Sequence, residues 1–171
     1  RFGDAGRGQL PPGSPFPYYH RQGISVEMSE GWTIFSSLSG PGVGPFGLSG
    51  FRAEAASEEE WMSFSVDEGV PLDDIRLNLL QQPGGGSISL LVDGAERASF
   101  QTNGAFSRLM QVSADVNLAR RVVLRPRGDG PVAVLGWGGE GSGPGVVYEA
   151  HGIPGATLRV MDVWDAGIVG Q

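Results

Sequence analysis

The residues best suited to chemistry lie in one short stretch, Gly145-Val-Val-Tyr-Glu-Ala-His-Gly-Ile-Pro-Gly-Ala-Thr-Leu158. His151 is a neutral-pH donor or base, and Gly152 and Gly155 bracket a turn between an apolar run and a helical pattern. Val146, Val147 and Tyr148 read as a covered strand, and Leu158, Met161 and Trp164 recur at helical spacing. A strand, a glycine turn and a helix start leave backbone N–H groups unpaired and pointing outward, which suits an anion or a developing oxyanion. The same glycines also serve a plain strand-to-helix turn.

The chain lacks a self-contained set of reacting groups. Its two histidines, His20 and His151, have Pro17 and Tyr148 three places earlier, so no Asp-x-x-His occurs. No Gly-x-Ser-x-Gly elbow is present either, and Ser49 in Gly47-Leu-Ser-Gly-Phe51 reads as a strand residue. The acidic pairs and triplets Glu58-Glu-Glu60 and Asp73-Asp74 offer oxygen ligands to a hard cation, or a solvated face. They lack the Asp-x-Asp-x-Asp-Gly spacing of a calcium loop, and no metal or other cofactor is expected. Phe16, Tyr18 and Tyr19 could give sugar rings a stacking surface or pack their segment onto the fold. Arg52 and Arg76 are candidates to meet a uronate carboxylate. Trp32, Trp61 and Trp137 fall on strand candidates and read as packing residues.

The elements that must position these residues are strands. The 29 glycines and 12 prolines fall between short apolar runs without a three-residue period, which excludes collagen and indicates turns of a β protein. Strands are expected at Ile24–Met28, Trp32–Leu38, Phe46–Ala55, Glu60–Val66, Asp74–Leu80, Ser87–Val92, Ala95–Thr102, Arg108–Ser113, Arg121–Arg125 and Val132–Trp137. The first two are expected to form a hairpin. Asp93-Gly94 marks a second hairpin turn. Arg1 to Gly8 reads as a glycine-rich turn, and the proline-rich run that follows as a connector. The whole is mainly β, an antiparallel β-sandwich or jelly roll.

The 171 residues carry 12 arginines, no lysine and 19 acidic groups, a net charge of -7, so a phosphate backbone is a poor partner and no nucleic acid is expected. Without cysteine there is no disulfide frame. No apolar run reaches the length of a membrane span. The chain starts at Arg1 and ends at Ile168-Val-Gly-Gln171, which suggests an excised segment of a longer protein.

Several landmarks carry a family likeness. Phe2-Gly-Asp-Ala-Gly-Arg-Gly8 with Pro15-Phe-Pro-Tyr-Tyr-His20, Gly31-Trp32, Pro45-Phe-Gly-Leu-Ser-Gly-Phe51, Leu135-Gly-Trp137, Gly145-Val-Val-Tyr148 and Gly152-Ile-Pro-Gly-Ala156 together resemble bacterial SGNH/GDSL-type hydrolases that carry an inserted carbohydrate-binding-module-like β-sandwich. The resemblance implies three parts: residues 1–19 as a connector from the hydrolase core, 20–140 as the sandwich, and 141–171 as a strand-turn-helix of the α/β core. It implies that Gly155 is an oxyanion-hole glycine, standing where the family reads Gly-x-Asn-Gly-Ala, with Pro154 in place of the asparagine. Since proline has no N–H, the donor there is Gly155 or its successors. The nucleophile block would precede Arg1 and the Asp-x-x-His block follow Gln171. A second reading makes Gly3-Asp4-Ala5 a Gly-Asp-Ser block with its serine replaced.

The implied function is a non-catalytic segment of a periplasmic or secreted esterase acting on O-acetylated polysaccharide. The fragment alone is expected to be inactive, and its partners are a polysaccharide or peptidoglycan glycan and the rest of the hydrolase core. Besides Gly155 for catalysis, the glycan-facing residues would be His151, Tyr148, Tyr18 and Tyr19. Two other readings stay open: a stand-alone carbohydrate-binding or cell-envelope interaction module, and a structural jelly-roll subunit that assembles through its sheet edges.

Overall fold

A computed structural model describes residues 5–13, 23–39, 44–141 and 143–147. Among them run eleven strands: β1 (Gly6–Leu10), β2 (Ile24–Met28), β3 (Thr33–Ser36), β4 (Phe51–Ala55), β5 (Met62–Val66), β6 (Leu72–Gln81), β7 (Ser87–Val92), β8 (Ala95–Gln101), β9 (Arg108–Ala119), β10 (Arg121–Pro126) and β11 (Val132–Glu140). The one helical element among these residues is a 3₁₀ turn at Ser37–Ser39. The strand-turn-helix expected at 141–171 falls almost entirely outside the described residues.

The strands form two antiparallel sheets. One is five-stranded, in the order β2-β5-β10-β7-β8. The other runs β3-β4-β11-β6-β9, and β1 also pairs with β11. Alternation along each strand explains why these layers stack. In β6, Ile75, Leu77 and Leu79 are fully buried toward the opposite sheet, while Asp74 and Arg76, which alternate with them, are exposed. The inner faces of both sheets supply one core that includes Met62, Phe64, Leu90, Val122 and Leu124 from one side and Leu77, Val134 and Trp137 from the other. Phe64 and Trp137 meet edge-on across the layers, with ring centroids 4.9 Å apart.

β11 is the hub of its sheet, and a bulge lets it serve that role. Val134 pairs with Leu79 but Gly136 pairs with Asn78, so Leu135 is the extra residue. Without it, strict alternation from Val134 would turn Trp137 away from the core. β4 pairs along Val132–Val134 and β1 along Trp137–Glu140. Leu135 joins Leu80 and Ala133 in a small second cluster on the outer face. The segment before β4 covers that cluster: a Cβ on Gly47 would lie 2.8 Å from the Leu135 Cβ, and Phe46 is fully buried.

Four local expectations need correction. Gly6–Leu10 is a strand rather than a turn, because Gly6, at φ +132, brings its backbone against Gly139 closer than any Cβ would permit. β2 and β3 do not form a hairpin. β2 pairs with β5 in one sheet and β3 with β4 in the other, and the link between them carries the buried Trp32. The strand expected from Phe46 starts only at Phe51, since Gly47 and Gly50 close a turn in which Gly50 N–H donates to the Gly47 carbonyl at 2.9 Å. Val146 and Val147 are not covered: their relative exposures are 57% and 36%.

Candidate functional site

A concavity lies on the outer face of the six-stranded sheet. It is an open trough of about 390 Å³, lined by Asp74, Arg76, Gln111, Val112, Ser113 and Glu140. The ladder brings these side chains together. β6 runs between β11 and β9, so Glu140, Asp74 and Asp115 form one cross-strand row, and Gly138, Arg76 and Ser113 form the next. Gly136, Asn78 and Gln111 make the third row.

Each row is chemically distinct. Like charges directly opposite one another repel, and the first row places three carboxylates side by side. The two outer ones have their own cations: Arg76 donates to Glu140, and Arg97 lies 3.8 Å from Asp115. Asp74, in the middle, makes no ion pair or side-chain hydrogen bond among the described residues. In the third row Gln111 Nε2 donates to Asn78 Oδ1 at 3.1 Å, and Asn78 is 7% exposed. That bond uses one amide proton of Gln111 and leaves the side-chain oxygen, an acceptor, outside it.

The other sheet's outer face holds a cleft of about 530 Å³ where Arg127 pairs with Glu96 at 3.2 Å and Glu58 and Glu59 form one wall. Among the described residues, no three acidic or histidine side chains are placed to hold a metal ion. Glu60 has a structural task instead. It accepts from the Ser29 hydroxyl and, at 2.9 Å, from Gly31 N–H, which ties the β2–β3 link to the start of β5.

Of the residues singled out in the sequence, Gly155, His151, Tyr148, Tyr18 and Tyr19 lie outside the described residues, as do Phe16 and His20. Arg76 lies in the trough. Arg52 does not: it is buried on the far side of β11, its guanidinium 4.5 Å over the Phe35 ring and 3.7 Å from Glu54, and burial holds its pKa below the usual arginine value. Trp32 and Trp137 are core residues, and Trp61 is half-buried with Arg121 over its ring at 6.0 Å. Gln111, Ser113 and Glu140 were not singled out. The period-two pattern Asp74-Ile-Arg-Leu-Asn78 already places one polar face on β6, but which strands flank it is not a local property.

The fold is that of a two-sheet antiparallel β-sandwich. Among solved structures it is similar to CsCBM6-3 from Clostridium stercorarium in complex with cellobiose, at 15% identity over 80% of this chain and 95% of that one, with a TM-score of 0.48. It is also similar to a β-1,3-glucan binding CBM6 from Bacillus halodurans, at 15% identity over 80% and 96%, TM-score 0.45. A family two carbohydrate esterase from Cellvibrio japonicus matches at 12% identity over 72% of this chain and 36% of its own, TM-score 0.41. Likeness at this level concerns the arrangement of strands and says nothing of ligands. No family model matches the chain, and no curated protein matches it in sequence. Among the described residues no helix is long and apolar enough to cross a membrane.

Proposed function

We propose that this chain is a glycan-binding β-sandwich and that the trough over β6 and β9 is its binding surface. One observation carries the reading: a guanidinium, a carboxamide and two carboxylates, with a serine hydroxyl, converge on an open sheet face. Planar forks of this kind meet adjacent ring hydroxyls two at a time, and hydrogen bonds to charged groups are the stronger ones. An open trough admits a chain passing through, whereas an enclosed pocket admits only an end. The net charge of -7 weighs against a nucleic acid on the same face.

On the sequence resemblance alone, the sandwich belongs to a periplasmic or secreted SGNH-type esterase acting on O-acetylated polysaccharide. Gly155 N–H would then help hold the oxyanion, with His151, Tyr148, Tyr18 and Tyr19 toward the glycan. The trough would serve a stand-alone binding module equally well. A Gly-Asp-Ser block shortly before Arg1 and an Asp-x-x-His block beyond Gln171 in the reading frame distinguish the two.

Affinity electrophoresis of the whole chain through gels containing soluble β-glucan, xylan or mannan tests the binding. Retardation in at least one neutral polysaccharide is expected, weakened roughly tenfold by Gln111→Ala, the loss of about one charged or shared hydrogen bond. Unretarded migration in every gel, or retardation untouched by Gln111→Ala and Arg76→Ala, would sink the assignment.

A further inference from the structure

Arg76 looks, from its residue type and its place on a glycan-binding face, like a receptor for a uronate carboxylate. The structure has already given it a carboxylate. Glu140, directly opposite Asp74 on the neighbouring strand, accepts from Arg76 Nη2, and both side chains stay part-exposed at 43% and 56%. Asp74 stands beside them without a partner among the described residues. Two carboxylates against one guanidinium leave the trough lining acidic.

We infer that Glu140 is a specificity-determining residue, which occupies Arg76 and makes the trough reject polyuronates in favour of uncharged glycans. The inference rests on the reading of the trough as a glycan site. An incoming uronate must displace Glu140 from Arg76 and then sit between the released Glu140 and Asp74. An uncharged sugar meets no such conflict. Its hydroxyls can donate to Asp74 and Glu140 while Arg76 keeps its partner, and Gln111 and Ser113 complete the set. The barrier to acidic glycans is electrostatic and part-exposed, so it must weaken with salt. The effect is one of discrimination through repulsion rather than through added attraction.

The test compares the whole chain's affinity for a neutral oligosaccharide series, cello- and xylo-oligosaccharides, with its affinity for oligogalacturonate of matched length, by titration calorimetry at low salt. Wild type is expected to favour the neutral series by roughly tenfold or more. Glu140→Gln, which removes the competing charge without changing side-chain size, should shift the uronate-to-neutral ratio toward uronate by roughly two- to fivefold. Raising salt to about 0.5 M should narrow the preference in wild type, a readout that needs no variant. Oligogalacturonate bound by wild type as well as the neutral sugars, or a ratio unmoved by both Glu140→Gln and salt, overturns the inference and leaves glycan binding standing. Failure of both series to bind overturns the glycan reading itself.

Discussion

Asp129 is a carboxylate whose charged form the fold holds through hydrogen bonds. It sits in the turn between β10 and β11, and its two carboxylate oxygens accept from the Ser87 N–H at 2.6 Å and the Ser87 hydroxyl at 2.7 Å. The Ser87 backbone bond, first, and its hydroxyl, second, hold the Asp129 pKa below the ordinary aspartate value. A carboxylate with a depressed folded pKa contributes stability that is present above its unfolded pKa, near pH ~4, and lost as pH falls through the lower folded value. Asp129→Asn is therefore expected to melt below wild type at pH 6, with the gap closing as pH drops from about 4 toward 2. Melting curves by circular dichroism across that range check it, and a gap that is constant or widens in acid would contradict the assignment. At this scale the sequence was partly legible. Arg76 could be named as a glycan-facing candidate from its type, yet its actual partner, Glu140, lies on a strand 64 positions away. Nothing local announces that pairing.

At the scale of elements, turns with their own chemistry were readable and long-range pairings were not. Asp93 and Gly94 adopt φ of 51 and 80, the left-handed pair that a two-residue hairpin requires, and β7 and β8 pair around them as expected. The alternation of β2 and β3 showed that each has one buried face, but alternation is blind to which sheet receives that face. β1 was hidden by its glycines, which signal a turn unless a partner backbone is known to approach. That partner is β11, which β1 approaches closely at Gly6 against Gly139 and again at Gly136. A Cβ there would lie 2.9 Å from the Leu10 carbonyl oxygen and 2.8 Å from Gln9 Nε2. The Gln9 side chain can move aside, whereas the Leu10 backbone can do so only by shifting β1. Gly136→Ala is expected to destabilise the protein by about 1–3 kcal/mol, as overpacking does. Its signature is local: amide exchange should accelerate across Gly6–Leu10 well before it does in β6. Uniform acceleration, or none, would show that β1 does not depend on this contact.

At the scale of the molecule, the named strands of one sheet share no ladder with those of the other, so the inner faces of the two layers meet through side chains. This part of the architecture was legible, because a chain of short alternating strands has few ways to bury one face of each except against a second sheet. The contact between Phe64 and Trp137 crosses that interface, with an interplanar angle of 66°. Both rings are essentially sealed from water, and Trp137 also buries an indole N–H without a hydrogen-bond partner among the described residues. Two effects then oppose each other when Trp137 is replaced. Losing the ring removes apolar contact and leaves a void, while losing the N–H relieves an unsatisfied donor. Trp137→Leu should consequently cost about 1–3 kcal/mol, less than a buried tryptophan truncated to alanine. Phe64→Leu, with no such relief, should cost a similar amount for a smaller change in volume. If the rings couple the sheets directly, the double variant will be less destabilised than the sum by about 0.5–1.5 kcal/mol, the coupling typical of an edge-on aromatic pair. Urea unfolding of the four proteins measures this coupling. Simple additivity would mean that the sheets are joined by distributed packing and that this pair has no special part in it.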